Sequence, residues 1–224
     1  MRPIKLCAVL LTAAAGLAPT APVMAAAPAV AATAPASPQV VIQQAVEVLT
    51  TRIIKDRKNL QSSPDALNAL VEQHIEPFVD IPGIARGVMG QFYRQSSPVQ
   101  RERFTRLFRQ SMVRTYANGL VAYDNEKIVV KPFKPGDDPS RASVDVEITL
   151  DNGTVVPVTF QMVLDANRQW KARNLIVNGL NLGLTFRKRF AEVVEQSGGN
   201  IDKAIAGWSP GPVEVVKAKP GKPS

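Results

Sequence analysis

The spacing of hydrophobic residues divides the central part of the chain into a helical half and a half made of strands. Apolar residues recur every three or four positions from Pro38 to about Ala122, which is the period of helices packed on one face. The predicted helices begin near Pro38, Pro64, Gly83 and Pro98. Beyond residue 127 the period becomes two, which predicts strands. These strands are expected at residues 127–133, 143–150, 154–164 and 170–177.

The order of these elements predicts the fold class. Asp151-Asn152-Gly153 is a hairpin turn, so the strands form an antiparallel meander, and Pro157 indicates a bulge or an unpaired position. Two more helices are predicted over Leu180–Gln196 and Asn200–Trp208. We therefore expect an α+β fold, in which an antiparallel sheet of about four strands is covered by several helices that enclose an apolar pocket.

The first 25 residues have the pattern of a secretory signal peptide. Arg2 and Lys5 precede an apolar run at residues 6–17, and Ala25 follows in a cleavage pattern of small residues. The alternative is a membrane anchor, but a span needs about 20 apolar residues, and Pro19 follows the run too early. We expect export to the periplasm and cleavage after Ala25.

The two ends of the mature chain are predicted to lie outside the folded unit. Residues 26–38 form a flexible leader of Ala and Pro, and residues 210–224 form a disordered basic tail. The folded domain then covers residues 39–209. Since Cys7 leaves with the signal peptide, the mature chain has no thiol, which suits an oxidising compartment.

Composition restricts the chemistry that the chain can perform. Its 224 residues include one His and one Cys, which excludes Cys₄, Cys₂His₂ and His₃ metal sites and any disulfide framework. His74 lies in the apolar stripe of the second helix, which is typical of a packed, hydrogen-bonded core residue. We predict a protein that is not an enzyme and has no cofactor. The alternative is a secreted enzyme that uses His74 on lipids.

The fourth helix has two features with open interpretations. Ser111, Thr115 and Gly119 form a seam of small residues, which leaves room for a neighbouring helix or for a ligand. Residues 86–114 contain seven arginines and one acid, Glu102, and the chain carries a net charge of +8. Such a run is a solvated face, or it binds an anionic membrane or an acidic protein patch. Export argues against nucleic acid as the partner.

A set of motifs in a fixed order resembles the MlaC family of periplasmic phospholipid-binding proteins, also called the toluene-tolerance family. The motifs are Pro77-Phe78, Gln91-Phe-Tyr-Arg94, Ser97-Pro-Val-Gln-Arg-Glu102, Phe104, Phe108, Tyr116, Trp170-Lys-Ala-Arg-Asn174, Asn178-Gly-Leu-Asn181, Phe186-Arg187 and Phe190. They span about Val40 to Trp208. Three positions depart from the family pattern: Asn174, Asn178 and Asn181 stand where Asp, Glu and Ser are usual.

The resemblance implies a function. It implies a monomeric carrier of phospholipid, with the acyl chains in a deep apolar pocket and the head group outside. Such a carrier shuttles between an inner-membrane ABC-type lipid transporter complex and an outer-membrane lipoprotein–porin complex, and so maintains outer-membrane lipid asymmetry. An adaptor protein without a ligand is a further alternative, which a filled core would favour.

The predicted faces of the strands and helices select the residues expected to line the pocket. They are Phe78, Val88, Phe92, Phe108, Met112, Tyr116, Val146, Ile148, Val158, Phe160, Met162, Ile176, Leu180 and Leu184.

Overall fold

The computed structural model describes residues 36–121 and 126–211, with the side chains of 117–121 left aside. The helices are α1 Pro38–Ser62, α2 Pro64–His74, a short 3-10 helix Glu76–Phe78, α3 Ile81–Met89, α4 Phe92–Gln95, α5 Pro98–Val121, α6 Leu182–Gln196 and α7 Ile201–Ala206. The strands are β1 Lys127–Val130, β2 Arg141–Thr149, β3 Val155–Leu164, β4 Trp170–Val177 and β5 Leu180–Asn181. The predicted α+β class is confirmed.

Local capping explains where the helices begin. Pro38, Pro64 and Pro98 are first residues of helices, where the missing N–H of proline costs nothing, and the starts predicted there are confirmed. Polar side chains accept hydrogen bonds from free N–H groups at other starts, as Asp80 does for α3 and Asn181 does for α6.

The third predicted helix is wrong in its extent. Residues 81–95 form two helices, because Gly90 has a φ of +55° that ends α3 before α4 begins. A positive φ is easily reached only by glycine, so this residue type permits the break.

The sheet has five antiparallel strands in the order β1-β2-β3-β4-β5, one more than expected. The additional strand is β5, since a two-residue turn at Asn178 and Gly179 folds the chain back against the end of β4. Their φ values of 50° and 81° match the hairpin turn for which Asn-Gly is favoured. The prediction that α6 begins at Leu180 was therefore wrong by two residues.

The register of the strands gives the sheet one apolar face. Val144 lies opposite Phe160, and Val146 lies opposite Val158, so these side chains share a face. Helix α1 covers part of this face through Ile42. The buried residues there form what we call the sheet cluster: Ile42, Ala142, Val144, Val146, Val156, Val158, Met162 and Trp170.

A β-bulge changes the phase of β4 along its length. Gln161 lies opposite Asn174, whereas Met162 lies opposite Ala172, which leaves Arg173 as the additional residue. Because of this shift, Leu175 and Val177 join the apolar face. The bulge predicted at Pro157 was wrong, since Pro157 pairs with Glu147 in unbroken register.

The remaining helices pack around aromatic residues. Residues of α3, α5, α6 and α7, together with Trp208 just after α7, form what we call the helix cluster: Ala85, Val88, Met89, Phe104, Phe108, Phe186, Phe190, Val194, Ala204, Ile205 and Trp208. The rings of Phe104 and Phe190 have centroids 4.7 Å apart, and Trp208 contacts both. This cluster positions α3 and α6 beside β4.

Candidate functional site

Half-buried apolar side chains from the sheet, its loops and α1 border the sheet cluster. We call these the apolar band, and its members are Val41, Val46, Ile128, Val130, Phe133, Ile148, Leu150, Phe160, Leu164, Leu175 and Val177. Each packs against the sheet cluster and keeps part of its surface accessible to solvent. Accessible apolar surface next to a core is what a hydrophobic ligand can cover favourably.

A different environment lies against the polar face of the sheet. Two open cavities of about 740 and 960 Å³ border α3 and the start of α6. Both have the size of small-molecule sites, and their linings combine basic and polar side chains with apolar ones such as Val88, Met162 and Leu184. The residues common to both linings are Gly83, Gly87, Arg141, Arg173, Leu184 and Arg187.

Glycines on α3 allow two arginines to approach this helix. An added Cβ at Gly83 would lie 2.7 Å from Nε of Arg173, so no larger residue fits without a shift. The Nε–H of Arg187 donates to the carbonyl of Gly87 at 2.7 Å. Gly83 and Gly87 are one turn apart, so the two guanidinium groups follow one side of the helix.

Asp80 ties the start of α3 to β4. Its Oδ1 accepts a hydrogen bond from the N–H of Gly83 at 2.9 Å. Its Oδ2 accepts from Arg173, with an Nε–Oδ2 distance of 2.7 Å, in an ion pair where Asp80 is the more buried partner. Sequence reasoning missed both residues, although Asp80-Ile-Pro82 carries a helix-start signal.

Three amides connect β3, β4 and α6 at the same place. Nδ2 of Asn174 donates to Oε1 of Gln161 at 2.8 Å and to Oδ1 of Asn181 at 3.0 Å. Oδ1 of Asn174 accepts from the N–H of Gly183 at 2.9 Å. Asn181 also caps α6 by accepting from Leu184 N–H at 3.0 Å. Two of the three departures from the family pattern therefore bond to each other.

An acidic loop borders the first cavity. Asp138 accepts hydrogen bonds from both the hydroxyl and the N–H of Ser140, which lower the pKa of this carboxyl. Arg141 lies 3.3 Å from its other oxygen. The bonds of Asp138 therefore stabilise the conformation of its own loop.

The structure divides the predicted pocket residues between two clusters. The sheet group shares the apolar face and comprises Val146, Ile148, Val158, Phe160 and Met162. The helix group belongs to or packs on the helix cluster and comprises Val88, Phe92, Phe108, Met112 and Tyr116. Phe78 is half-buried in the 3-10 helix. Whether these residues contact a ligand stays a prediction.

Two predicted residues, Ile176 and Leu180, lie elsewhere than expected. Ile176 pairs with Thr159 on the polar face, because the bulge at Arg173 reverses the alternation. Leu180 pairs with Val177 in the edge strand β5, where it is exposed rather than enclosed in a helix. Leu184 is 57% exposed on α6 and lines both cavities, and its contact with a ligand stays a prediction.

One of the three small residues in the α5 seam, Ser111, contacts another side chain. The indole N–H of Trp208 donates to Oγ of Ser111 at 3.2 Å, so close packing occupies the seam there. Thr115 is exposed, and Gly119 belongs to the last turns of α5, whose surroundings lie outside the described part.

The last described residues are fixed to α5 and do not begin the disordered tail that was expected from residue 210. The hydroxyl of Tyr116 donates to the carbonyl of Gly211 at 2.7 Å, and Pro210 is buried. Burial raises the pKa of Tyr116, while Arg189 nearby acts in the opposite direction.

His74 does not have the surroundings expected of a core residue. It is half-buried at the end of α2, and its imidazole has no hydrogen bond to any residue that the structure describes. Within residues 36–121 and 126–211, no three His, Cys, Asp or Glu side chains are grouped as a metal site requires. No helix of this part has the length and apolarity needed to cross a membrane.

The chain is similar to a solved structure and to two curated proteins. It matches the structure of a phospholipid-binding protein from Ralstonia solanacearum in complex with a phospholipid, with a TM-score of 0.70 and 26% identity, over 76% of this chain and 94% of the other. It is 36% identical to toluene tolerance protein ttg2D of Pseudomonas putida over 82% of this chain and 83% of that protein.

A second curated relative is the intermembrane phospholipid transport system binding protein MlaC of Haemophilus influenzae, 26% identical over 78% of this chain and 81% of that protein. The family pattern of the MlaC protein matches residues 43–209, nearly the whole described region. The resemblance inferred from the motifs is thereby confirmed, and the chain belongs to the MlaC family.

Proposed function

We propose that the protein is a phospholipid carrier that holds acyl chains against the apolar band and leaves the head group in water. The likeness to the Ralstonia solanacearum protein carries this proposal, since that protein binds a phospholipid in a similar fold. The name of the Haemophilus influenzae relative supports a role in transport. The half-buried side chains of the apolar band supply the surface that such a cargo needs.

The energetics of acyl burial suit a carrier that needs no catalyst. Each buried CH₂ contributes about 0.8 kcal/mol relative to water, so about 30 carbons contribute roughly 24 kcal/mol. A bilayer hides the same carbons equally well, and the difference between protein and membrane is therefore small. Such a ligand exchanges with membranes and does not leave into water.

We further propose that the carrier works in the periplasm. Cleavage of residues 1–25 would release a mature chain that begins at Ala26 and has no cysteine. Its partners would be an inner-membrane ABC-type lipid transporter complex and an outer-membrane lipoprotein–porin complex, and it would act as a monomer. N-terminal sequencing of protein released from the periplasm tests this. Retention of Met1 would contradict it.

Two valines of the sheet provide a matched test of the cargo site. Val177 is half-buried in the apolar band, whereas Val155 is 50% exposed and lies on the opposite face. Val177→Trp adds a large ring to the surface assigned to acyl chains. Val155→Trp adds the same ring where no chain is expected.

Lipid is extracted from each purified variant and counted per protein, with unfolding in urea as a check of the fold. We expect Val177→Trp to carry clearly less lipid than wild type, and Val155→Trp to carry the same amount. If a folded Val177→Trp protein carries as much lipid as wild type, the acyl chains do not lie against Val177. A wild type without lipid would contradict the carrier function itself.

A further inference from the structure

The two cavities on the polar face carry more cations than their surroundings neutralise. Their linings together contain seven basic residues and two acidic ones, Asp137 and Asp138. The basic residues are Arg86, Arg94, Lys134, Arg141, Arg173, Arg187 and Lys188. Asp80 pairs with Arg173 and Asp138 pairs with Arg141. An excess of positive charge around open cavities attracts an anionic partner.

An exposed leucine stands among these cations. Leu184 lines both cavities, so it lies on the wall between them, together with Arg187. Leu184, Arg187 and Lys188 are three and four residues apart on α6, share one side of the helix and are all exposed. The acids of this helix, Glu192 and Glu195, come only in its second half. Exposed apolar and basic side chains on one surface are typical of helices that meet lipid head groups.

We propose that this surface docks on an anionic membrane. We call it the α6 ridge, and it consists of Arg94, Arg141, Leu184, Arg187 and Lys188. The cations would bind the phosphates of the head groups, and Leu184 would enter the acyl region below them. A bilayer matches both parts of this surface, because its anionic head groups lie directly above an acyl layer that Leu184 can reach, and this makes the membrane the favoured partner.

The proposal goes beyond the binding of cargo, because the ridge and the apolar band lie on different faces of the sheet. Asn174 of the polar face bonds to Gly183, which places the start of α6 on that side. Val177 of the apolar band points to the other side. Substitutions of the ridge cations are therefore expected to change membrane docking and to leave the lipid load unchanged.

The test is flotation of lipid-loaded protein with vesicles. One preparation contains phosphatidylcholine alone, and in the other phosphatidylglycerol replaces part of it. The first variant combines Arg94→Gln and Lys188→Gln, two exposed residues without an ion pair in the described structure. The second is Leu184→Asn. The matched control combines Lys55→Gln and Lys58→Gln, which removes the same charge from exposed positions on α1.

We expect wild type to float with the anionic vesicles and not with phosphatidylcholine, and to be released by added salt. Loss of each ridge cation should weaken partition roughly fivefold. Leu184→Asn should weaken it as well, and the α1 control should resemble wild type. Failure of wild type to float, or an equal loss in the control, would overturn the proposal. Extraction of lipid from the same samples separates this failure from a failure of the carrier function.

Discussion

Gly83 and Gly87 occupy positions one turn apart on α3 but have different surroundings. A Cβ at Gly83 would meet the Asp80 carboxylate, which is held by a helix N–H and by Arg173 and so has no free space to enter. A Cβ at Gly87 would have its nearest neighbour, Nη2 of Arg187, at 4.0 Å. The same substitution therefore has opposite consequences at the two positions.

We predict that Gly83→Ala lowers the free energy of unfolding by about 1–2 kcal/mol, because the Asp80 cap must give way. Gly87→Ala should be neutral or stabilise by about 0.5–1 kcal/mol, since alanine is the better helix former. Urea unfolding of both variants measures the difference. Equal midpoints would show that Asp80 is not fixed as described.

Tyr116 predicts a loss of stability at alkaline pH. Its pKa is raised by burial in the folded state. Below its ordinary pKa of about 10 the phenol is protonated in both states, and the contribution of the hydroxyl is fully present. As the pH rises, the phenol of Tyr116 loses its proton first in the unfolded state, where its pKa is ordinary, and only later in the folded state. The stabilising contribution of the hydroxyl is lost over this range.

The expected result is that wild type loses stability faster than Tyr116→Phe above pH about 10. The lysines titrate in both wild type and Tyr116→Phe. The quantity to compare is therefore the difference between the unfolding free energies of these two proteins at each pH. Parallel curves across this range would contradict the assigned surroundings of Tyr116.

At the scale of elements, β4 shows what the sequence can and cannot predict. Its bounds, Trp170–Val177, agree with the prediction, because turn residues flank an apolar segment. The bulge was not predictable, since Leu175, Ile176 and Val177 are all apolar and an apolar triplet hides the phase of the alternation. The β5 hairpin was predictable, because Asn178-Gly179 is a strong turn signal.

The amides at the start of α6 predict a coupled pair of substitutions. Asn174→Asp removes the Nδ2 donor and leaves its carboxylate facing Oδ1 of Asn181. We expect this change to lower the unfolding free energy by about 1–3 kcal/mol. Adding Asn181→Ser, the residue usual in the family, restores a hydroxyl donor and keeps the cap.

A double-mutant cycle in urea should therefore give a favourable coupling of about 1 kcal/mol or more. Asn200→Ser is the control, because Asn200 caps a different helix, α7, by accepting a hydrogen bond from the N–H of Lys203. In the described structure it has no hydrogen bond to the amides of Asn174 or Asn181. Additive effects of Asn174→Asp and Asn181→Ser would contradict the network.

For the whole molecule, the sequence predicted the apolar faces of β2, β3 and α5 but not which faces meet. Phe108 and Phe160 both lie on apolar faces as expected, yet one belongs to the helix cluster and the other packs on the sheet cluster. Periodicity is a local property, whereas the pairing of helices with sheet faces depends on contacts far apart in sequence. The basic run of residues 86–114 includes Arg86 and Arg94. Their grouping with Arg141 and Arg187 was missed for the same reason, since these cations come from separate elements.

The most direct test of the carrier function is the native mass of the mature protein, released gently from the periplasm without added lipid. We predict a mass that exceeds the protein chain by bound phospholipid, which collision at higher energy removes and lipid extraction identifies. A native mass equal to that of the bare chain, with no phospholipid in the extract, would contradict the carrier function.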